Sequence, residues 1–63
     1  MKYEIRVFIK CKFIYNMFFN DVQCYLRALI DIQDYYIKSD YIVIYDSSKL
    51  NETDLIVFKK TDN

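Results

Sequence analysis

Glycine, proline and histidine are all absent from this 63-residue sequence, and these absences exclude several kinds of functional site. A phosphate-binding loop or a dinucleotide-binding fingerprint needs glycine where the backbone approaches its ligand closely. Imidazole is the ordinary proton shuttle near neutral pH and a frequent metal ligand, and no side chain here supplies it. We therefore expect function to reside in a surface and not in a reactive group.

Cysteine is scarce: Cys11 and Cys24 together provide only half of a tetrahedral zinc shell. The first residues alternate charged and apolar side chains, whereas a signal peptide has a continuous apolar stretch. We therefore expect a cytoplasmic protein in which both thiols are reduced and act as small buried or half-buried hydrophobic residues. We expect no cofactor and no metal ion.

No apolar run is long enough to cross a bilayer, because the longest candidate, residues 13–19, is short and contains Asn16. Apolar residues nevertheless fill 54% of the chain, too large a fraction for a disordered segment. The sequence thus predicts a single globular domain over residues 1–63. A chain this short hides only about 60% of its unfolded surface on folding, so a partner or a second copy would add needed stability.

Residues 2–10 alternate apolar and polar side chains and predict a first strand. Phe8 interrupts its polar side, and residues 11–15 either extend this strand or lead into a helix. The apolar side of the strand consists of Tyr3, Ile5, Val7 and Ile9.

A helix is predicted over about residues 18–34. Asn20 is its expected N-cap, with Gln23 completing a relaxed capping box, and Asn16 is a competing cap one turn earlier. The apolar positions that recur at helical spacing should face the core. They are Val22, Tyr25, Leu26, Leu29 and Ile30.

Two β-branched and aromatic segments predict hairpin strands over about residues 40–46 and 53–60. Turn residues separate them, and without glycine we expect Asn51 or Asp46 at any position that needs a positive φ. The order strand, helix, strand, strand predicts an α+β domain. Its architecture would be a three-stranded antiparallel sheet of order 1-3-2 with one helix packed on one face.

One helix covers only one face of a sheet, so the other face should be apolar and uncovered. Monomers rarely leave a large apolar patch in water, and such a face therefore indicates an interaction surface. We expect that surface to contain Tyr41, Val43 and Tyr45, with Phe8 and Arg6 on the neighbouring strand.

These features predict a small non-enzymatic protein-interaction module whose partner is a host protein or a second copy of the chain. Six residue types with AT-rich codons, namely Phe, Tyr, Met, Ile, Asn and Lys, fill 34 of the 63 positions and indicate a low-GC genome. The short length, this composition and the uncovered aromatic face fit small phage or mobile-element proteins that block a host enzyme or defence complex. Anti-CRISPR proteins are one such class, and the likeness is of profile and not of sequence.

Two alternatives stay open. The uncovered sheet could bind single-stranded nucleic acid by stacking bases on its aromatic rings, although a net charge of zero provides no general attraction for phosphates. The candidate stacking residues are Tyr3, Phe8, Tyr41 and Tyr45. A homodimer with a purely structural role is the other alternative. Catalysis is not expected, since the one adjacent carboxylate pair, Asp31 and Asp34, resembles an ordinary solvated helix surface.

Overall fold

The structure is a computed structural model that describes residues 2–60, apart from the side chain of Ser48. The α+β class and the single helix are confirmed. The expectation of three strands is wrong, because the residues after the first strand form a strand of their own. The elements are β1 (Tyr3–Ile9), β2 (Lys12–Phe19), α1 (Val22–Lys38), β3 (Tyr41–Lys49) and β4 (Glu52–Lys59).

The additional strand, β2, pairs with β1 through a two-residue turn. Ile9 lies opposite Lys12, so Lys10 and Cys11 alone reverse the chain, with φ angles of 55° and 66°. Two consecutive residues with positive φ suit the twist of the flanking strands, and Asn-Gly is the usual pair. Because this turn has no glycine, the residue pair does not indicate a hairpin in the sequence.

The β3–β4 hairpin is also tighter than predicted. Lys49 lies opposite Glu52, after a bulge in β3, so the loop consists of two residues. Neither Asn51 nor Asp46 has a positive φ, contrary to expectation. Within the described range, the residue with a positive φ besides Lys10 and Cys11 is Asp40, with φ of 71°. Asp40 follows the helix C-cap, where a left-handed residue commonly ends a helix.

The four strands form one sheet in the order β2-β1-β4-β3. The three predicted strands keep their expected order 1-3-2, but β1 runs parallel to β4, so the sheet is mixed and not antiparallel. The reason is β2, which reverses the chain before the helix begins. As a result α1 connects the two edge strands, β2 and β3, and crosses the central pair.

The helix begins later and ends later than predicted. Asp21 is the N-cap, and its carboxylate accepts a 2.9 Å hydrogen bond from the backbone N–H two residues on. The expected cap Asn20 lies outside the helix, and Asn16 lies within β2. Within residues 2–60, no helix combines the length and the apolar character needed to cross a membrane.

The prediction of the helix side that meets the sheet is confirmed for Tyr25 and Leu29 but is wrong for the other three residues. The sheet-facing residues of the helix are Tyr25, Ala28, Leu29, Ile32 and Tyr36. Val22, Leu26 and Ile30, which we expected in the core, are 43%, 50% and 59% exposed. Two neighbouring apolar stripes run along α1, and helical spacing alone does not indicate which of them meets the sheet.

The core is small and lies between the central strands and α1. Its fully buried side chains are Ile5, Val7, Leu55 and Val57. Among them the hydroxyls of Tyr25 and Thr53, both nearly inaccessible, share a hydrogen bond of 2.5 Å. Nearby, burial raises the pKa of Tyr36 to about 12, and the hydroxyl of Tyr15 adds to this shift.

Candidate functional site

The open face is the face of the sheet opposite α1. Buried side chains at odd-numbered positions of β1 and β4 point toward the helix, so their even-numbered neighbours point to the open face. Phe8 lies opposite both Phe13 and Ile56, and Ile56 lies opposite Ile44. Because directly opposed residues share a face, these four side chains form one apolar row across all four strands.

A second pair, Ile42 and Phe58, lies beside this row and extends it. We call these six residues the apolar patch: Phe8, Phe13, Ile42, Ile44, Ile56 and Phe58. Its members on the edge strands are the most accessible, with Phe13 54% and Ile44 52% exposed. The Phe8 and Phe13 rings meet edge to face, with centroids 5.8 Å apart. This contact fixes the relative orientation of the two rings in the patch.

The remaining half of the open face carries Lys2, which lies over the Phe18 ring, and Lys49, which lies opposite Glu52. We call this half the acidic end because it also carries four carboxylates. Its carboxylates are Glu4, Asp46, Glu52 and Asp54, which register places on neighbouring strands. Arg6 donates two hydrogen bonds to Asp54, from Nε to Oδ1 at 2.8 Å and from Nη2 to Oδ2 at 2.9 Å. These bonds, together with the negative charge of Asp54, raise the pKa of Arg6, and desolvation opposes this shift. The guanidinium is therefore a permanent cation.

Arg6 also joins the two halves of the open face. Its Cζ lies 5.8 Å from the centre of the Phe8 ring while its nitrogens hold Asp54. Beside it, the Asn16 amide donates to Glu4 at 3.0 Å. A depression of about 270 Å³ lies at this junction, lined by Phe8, Cys11, Asp54 and Ile56. It could receive one apolar side chain of a partner beside a fixed carboxylate.

Lysines collect at the opposite end of the molecule, where the β1–β2 turn and the end of β4 lie together. They are Lys10, Lys12, Lys59 and Lys60. The Lys59 ammonium lies 5.4 Å from the centre of the Tyr41 ring, and both residues line an open depression of about 580 Å³.

The five residues predicted to form one surface lie on two sides of the sheet. Phe8 and Arg6 are together on the open face. Tyr41 and Val43 are on the helix side, where they pack against the core, and Tyr45 shares their side of β3 but is 62% exposed. The expectation that these three β3 residues lie on the uncovered face is therefore wrong.

The members of the apolar patch on β3 and β4 carried a usable signal in the sequence. Asp46 has the same parity as Ile44, and Asp54 has the same parity as Ile56, so charged residues mark this set as the side away from the core. Phe13 carried no such signal, because its strand was not recognised.

The two thiols and the carboxylate pair of α1 lie at exposed positions. Cys11 and Cys24 are both exposed, so the expectation of buried or half-buried thiols is wrong. Asp34 pairs with Lys38 at 3.1 Å on the exposed side of α1. No group of three or more potential metal ligands occurs within the part of the chain that the structure describes.

Comparison of the chain with protein-family models, with curated proteins and with solved structures finds no match in any of the three.

Proposed function

We propose that this chain is a non-enzymatic protein-interaction module that binds a protein partner through the apolar patch. One observation carries the proposal: an apolar row, Phe13, Phe8, Ile56 and Ile44, spans all four strands on the face that α1 leaves uncovered. Contiguous apolar surface rimmed by polar groups is typical of protein-binding sites.

The surroundings of the patch suit a specific interface. Aromatic residues and arginine dominate the binding energy of protein interfaces, and Phe8, Phe13 and Arg6 are adjacent here. The two bonds from Arg6 to Asp54 fix the guanidinium before a partner arrives, so little side-chain entropy is lost on binding.

Single-stranded nucleic acid suits this face less well. The rings proposed for base stacking do not share a side, because Tyr3 packs 5.0 Å from Tyr25 on the helix side whereas Phe8 is on the open face. Four carboxylates moreover lie on the open face, and carboxylates repel phosphates.

The composition supports a class of partner. A short chain rich in AT-encoded residues fits a phage or another mobile element of a low-GC bacterium. In that setting we propose that the partner is a host enzyme or defence complex whose functional surface is covered by the patch.

The test compares two neighbouring residues of β3 on opposite sides of the sheet. Ile44 on the open face is 52% exposed and Tyr45 on the helix side is 62% exposed, so both tolerate a charge without loss of the core. A photo-crosslinking residue at position 13 would report on partners of the open face in cells of a low-GC bacterium. The same residue at position 35, on exposed Tyr35 of α1, is the control position.

We expect a discrete protein adduct from position 13 and none from position 35. Ile44→Asp should remove the adduct and Tyr45→Asp should leave it, with circular dichroism showing both variants folded. An adduct lost only with Tyr45→Asp would move the binding surface to the helix side. Adducts with nucleic acid, or equal adducts from both positions, would overturn the proposal.

A further inference from the structure

The outer edge of the sheet at β2 carries backbone groups that no neighbouring strand takes up. β2 is the first strand in the order β2-β1-β4-β3, so it pairs with β1 and has no strand on its other side. Within residues 2–60, no backbone hydrogen bond from a turn or a loop reaches β2 either. Because successive residues of a strand direct their N–H and C=O groups to alternate sides, every second residue of β2 has a free donor and a free acceptor.

The backbone bonds of β1 show which residues these are. The Glu4 N–H bonds to the Asn51 carbonyl at 2.9 Å, and the Lys10 N–H bonds to the Val57 carbonyl at 3.2 Å. Even-numbered residues of β1 therefore direct their backbone groups toward β4, and odd-numbered residues direct theirs toward β2.

On β2, the residues that bond to β1 are the ones opposite its odd-numbered residues. They are Tyr15, Met17 and Phe19. Asn16 and Phe18 lie between them, so their N–H and C=O groups point out of the sheet. An extended polypeptide presents the complementary groups at the same spacing, which is how a peptide adds to a free sheet edge.

β2 also lacks most of the usual protection of an edge strand. Charged residues, proline and bulges protect natural edge strands from pairing with other chains. Residues 13–19 contain no charged residue and no proline. A register irregularity leaves Ile14 with no residue opposite it in β1, but residues 15–19 pair regularly with that strand. The regular part of β2 is thus an uncharged edge of five residues.

The opposite edge strand, β3, is better protected. Its register with β4 is interrupted by a bulge after Asp46, and charged residues stand on both sides of that bulge. Within it the Ser47 hydroxyl donates to the Lys49 carbonyl at 3.0 Å. Further along β3, Tyr41 and Val43 are packed against the core. β2 is therefore the edge better suited to accept a strand.

We propose that an extended segment of the partner protein adds to β2 as a fifth strand of the sheet. This inference rests on the proposed function, because Phe13 of the apolar patch lies on β2 and a partner that covers the patch adjoins this edge. The segment is uncharged and largely apolar, since its side chains lie beside Tyr15 and Phe18, which are 37% and 58% exposed.

Amide exchange of the free, purified chain tests whether the edge is open. We expect the N–H groups of Asn16 and Phe18 to exchange about tenfold faster than that of Met17, which is bonded to β1. Nuclear magnetic resonance resolves the three amides separately. Slow exchange at both Asn16 and Phe18 would show that the edge is already covered and would overturn the inference.

Proline at position 16 tests whether a partner uses this edge. Asn16→Pro removes an outward N–H and leaves the bonds between β1 and β2 in place. Asn16→Ala is the matched control, because both substitutions lose the side-chain bond to Glu4 and only proline loses the N–H. With the photo-crosslinking residue at position 13, we expect Asn16→Pro to lower the yield of the protein adduct about tenfold relative to Asn16→Ala.

Tyr45→Pro is the control on the other edge. The Lys60 N–H bonds to the Asp40 carbonyl at 2.9 Å, so even-numbered residues of β3 face β4 and the Tyr45 N–H points outward. This variant should leave the adduct unchanged, with circular dichroism showing that each proline variant is folded. If Asn16→Pro does not fold, amide exchange in the crosslinked complex replaces it, and there the N–H groups of Asn16 and Phe18 should become about tenfold slower.

Failure of this inference is distinguishable from failure of the proposed function. If the adduct forms equally with Asn16→Pro and Asn16→Ala, or if Tyr45→Pro lowers it as much, the added strand is overturned and the interaction function stands. An adduct between two copies of this chain would overturn a partner protein as the source of the strand. If no adduct forms with the unsubstituted chain, both proposals are overturned.

Discussion

Tyr25 and Thr53 form a buried pair of hydroxyls, 2.5 Å apart, that links α1 to β4 inside the core. Their side chains are among the least accessible of the chain, at 4% and 3% exposure, and within the described residues no buried side-chain polar atom lacks a partner. The pair therefore fixes how far along β4 the helix is placed, which apolar contacts alone would specify less strictly.

Removing one hydroxyl of this pair should be worse than removing both. Tyr25→Phe leaves the Thr53 hydroxyl unpaired, and Thr53→Val leaves the Tyr25 hydroxyl unpaired. We expect each substitution to lower the free energy of unfolding by about 1–3 kcal/mol. The double variant should lose less than either single variant, because it leaves no buried hydroxyl unpaired. Urea unfolding of all four proteins gives the coupling energy, and simple additivity would contradict a direct bond between the two groups.

The turn between β1 and β2 should be stabilised by glycine. Cys11 has a φ of 66°, a conformation that costs a residue with a Cβ roughly 1 kcal/mol. Cys11→Gly should therefore raise the melting temperature by about 4–8 °C, since that is the shift produced by 1 kcal/mol in a domain of this size. Cys24→Gly is the matched control: in the helix, the same substitution should lower stability by a few tenths of a kcal/mol. A loss of stability from both substitutions would show that the turn is not left-handed.

Stability should fall in alkali because of Tyr36. Its pKa is raised from 10.0 to about 12 in the folded chain, so the folded state favours the neutral phenol. The resulting stabilisation is complete below pH 10 and is lost as the pH rises through 12, with a magnitude of roughly 2 kcal/mol. Tyr36→Phe should remove this part of the pH dependence. Parallel curves for the two proteins between pH 9 and pH 12 would exclude Tyr36 as its source.

Local patterns predicted the secondary structure wherever they were distinctive. The alternation in β1 assigned Ile5 and Val7 correctly to the core, and the two strands of the C-terminal hairpin lie close to their predicted positions. β2 was missed because its turn, Lys10 and Cys11, lacks the residues that usually occupy left-handed positions. Because the omitted strand reverses the chain, the predicted antiparallel direction of β1 relative to β4 was also wrong.

The existence of an uncovered apolar sheet face was predicted, but several of the residues that form it were not. An uncovered apolar sheet face follows from having one helix, and the structure contains it. Which β3 residues lie on that face depends on the pairing of Val43 with Val57, a contact between strands that is not encoded in either strand alone. Tyr41 and Val43 were consequently assigned to the wrong side.

The parallel contact between β1 and β4 has a consequence for synthesis of the chain. Its partners Arg6 and Asp54 are 48 residues apart, and the fully buried side chains are divided equally between these two strands. As the polypeptide leaves the ribosome, β1, β2 and α1 emerge before Leu55 and Val57, which are the other half of the fully buried side chains. Completion of the core is thus postponed until β4 has been translated, and a proteolytic cut between β3 and β4 in that interval would leave an N-terminal fragment lacking half of the fully buried side chains.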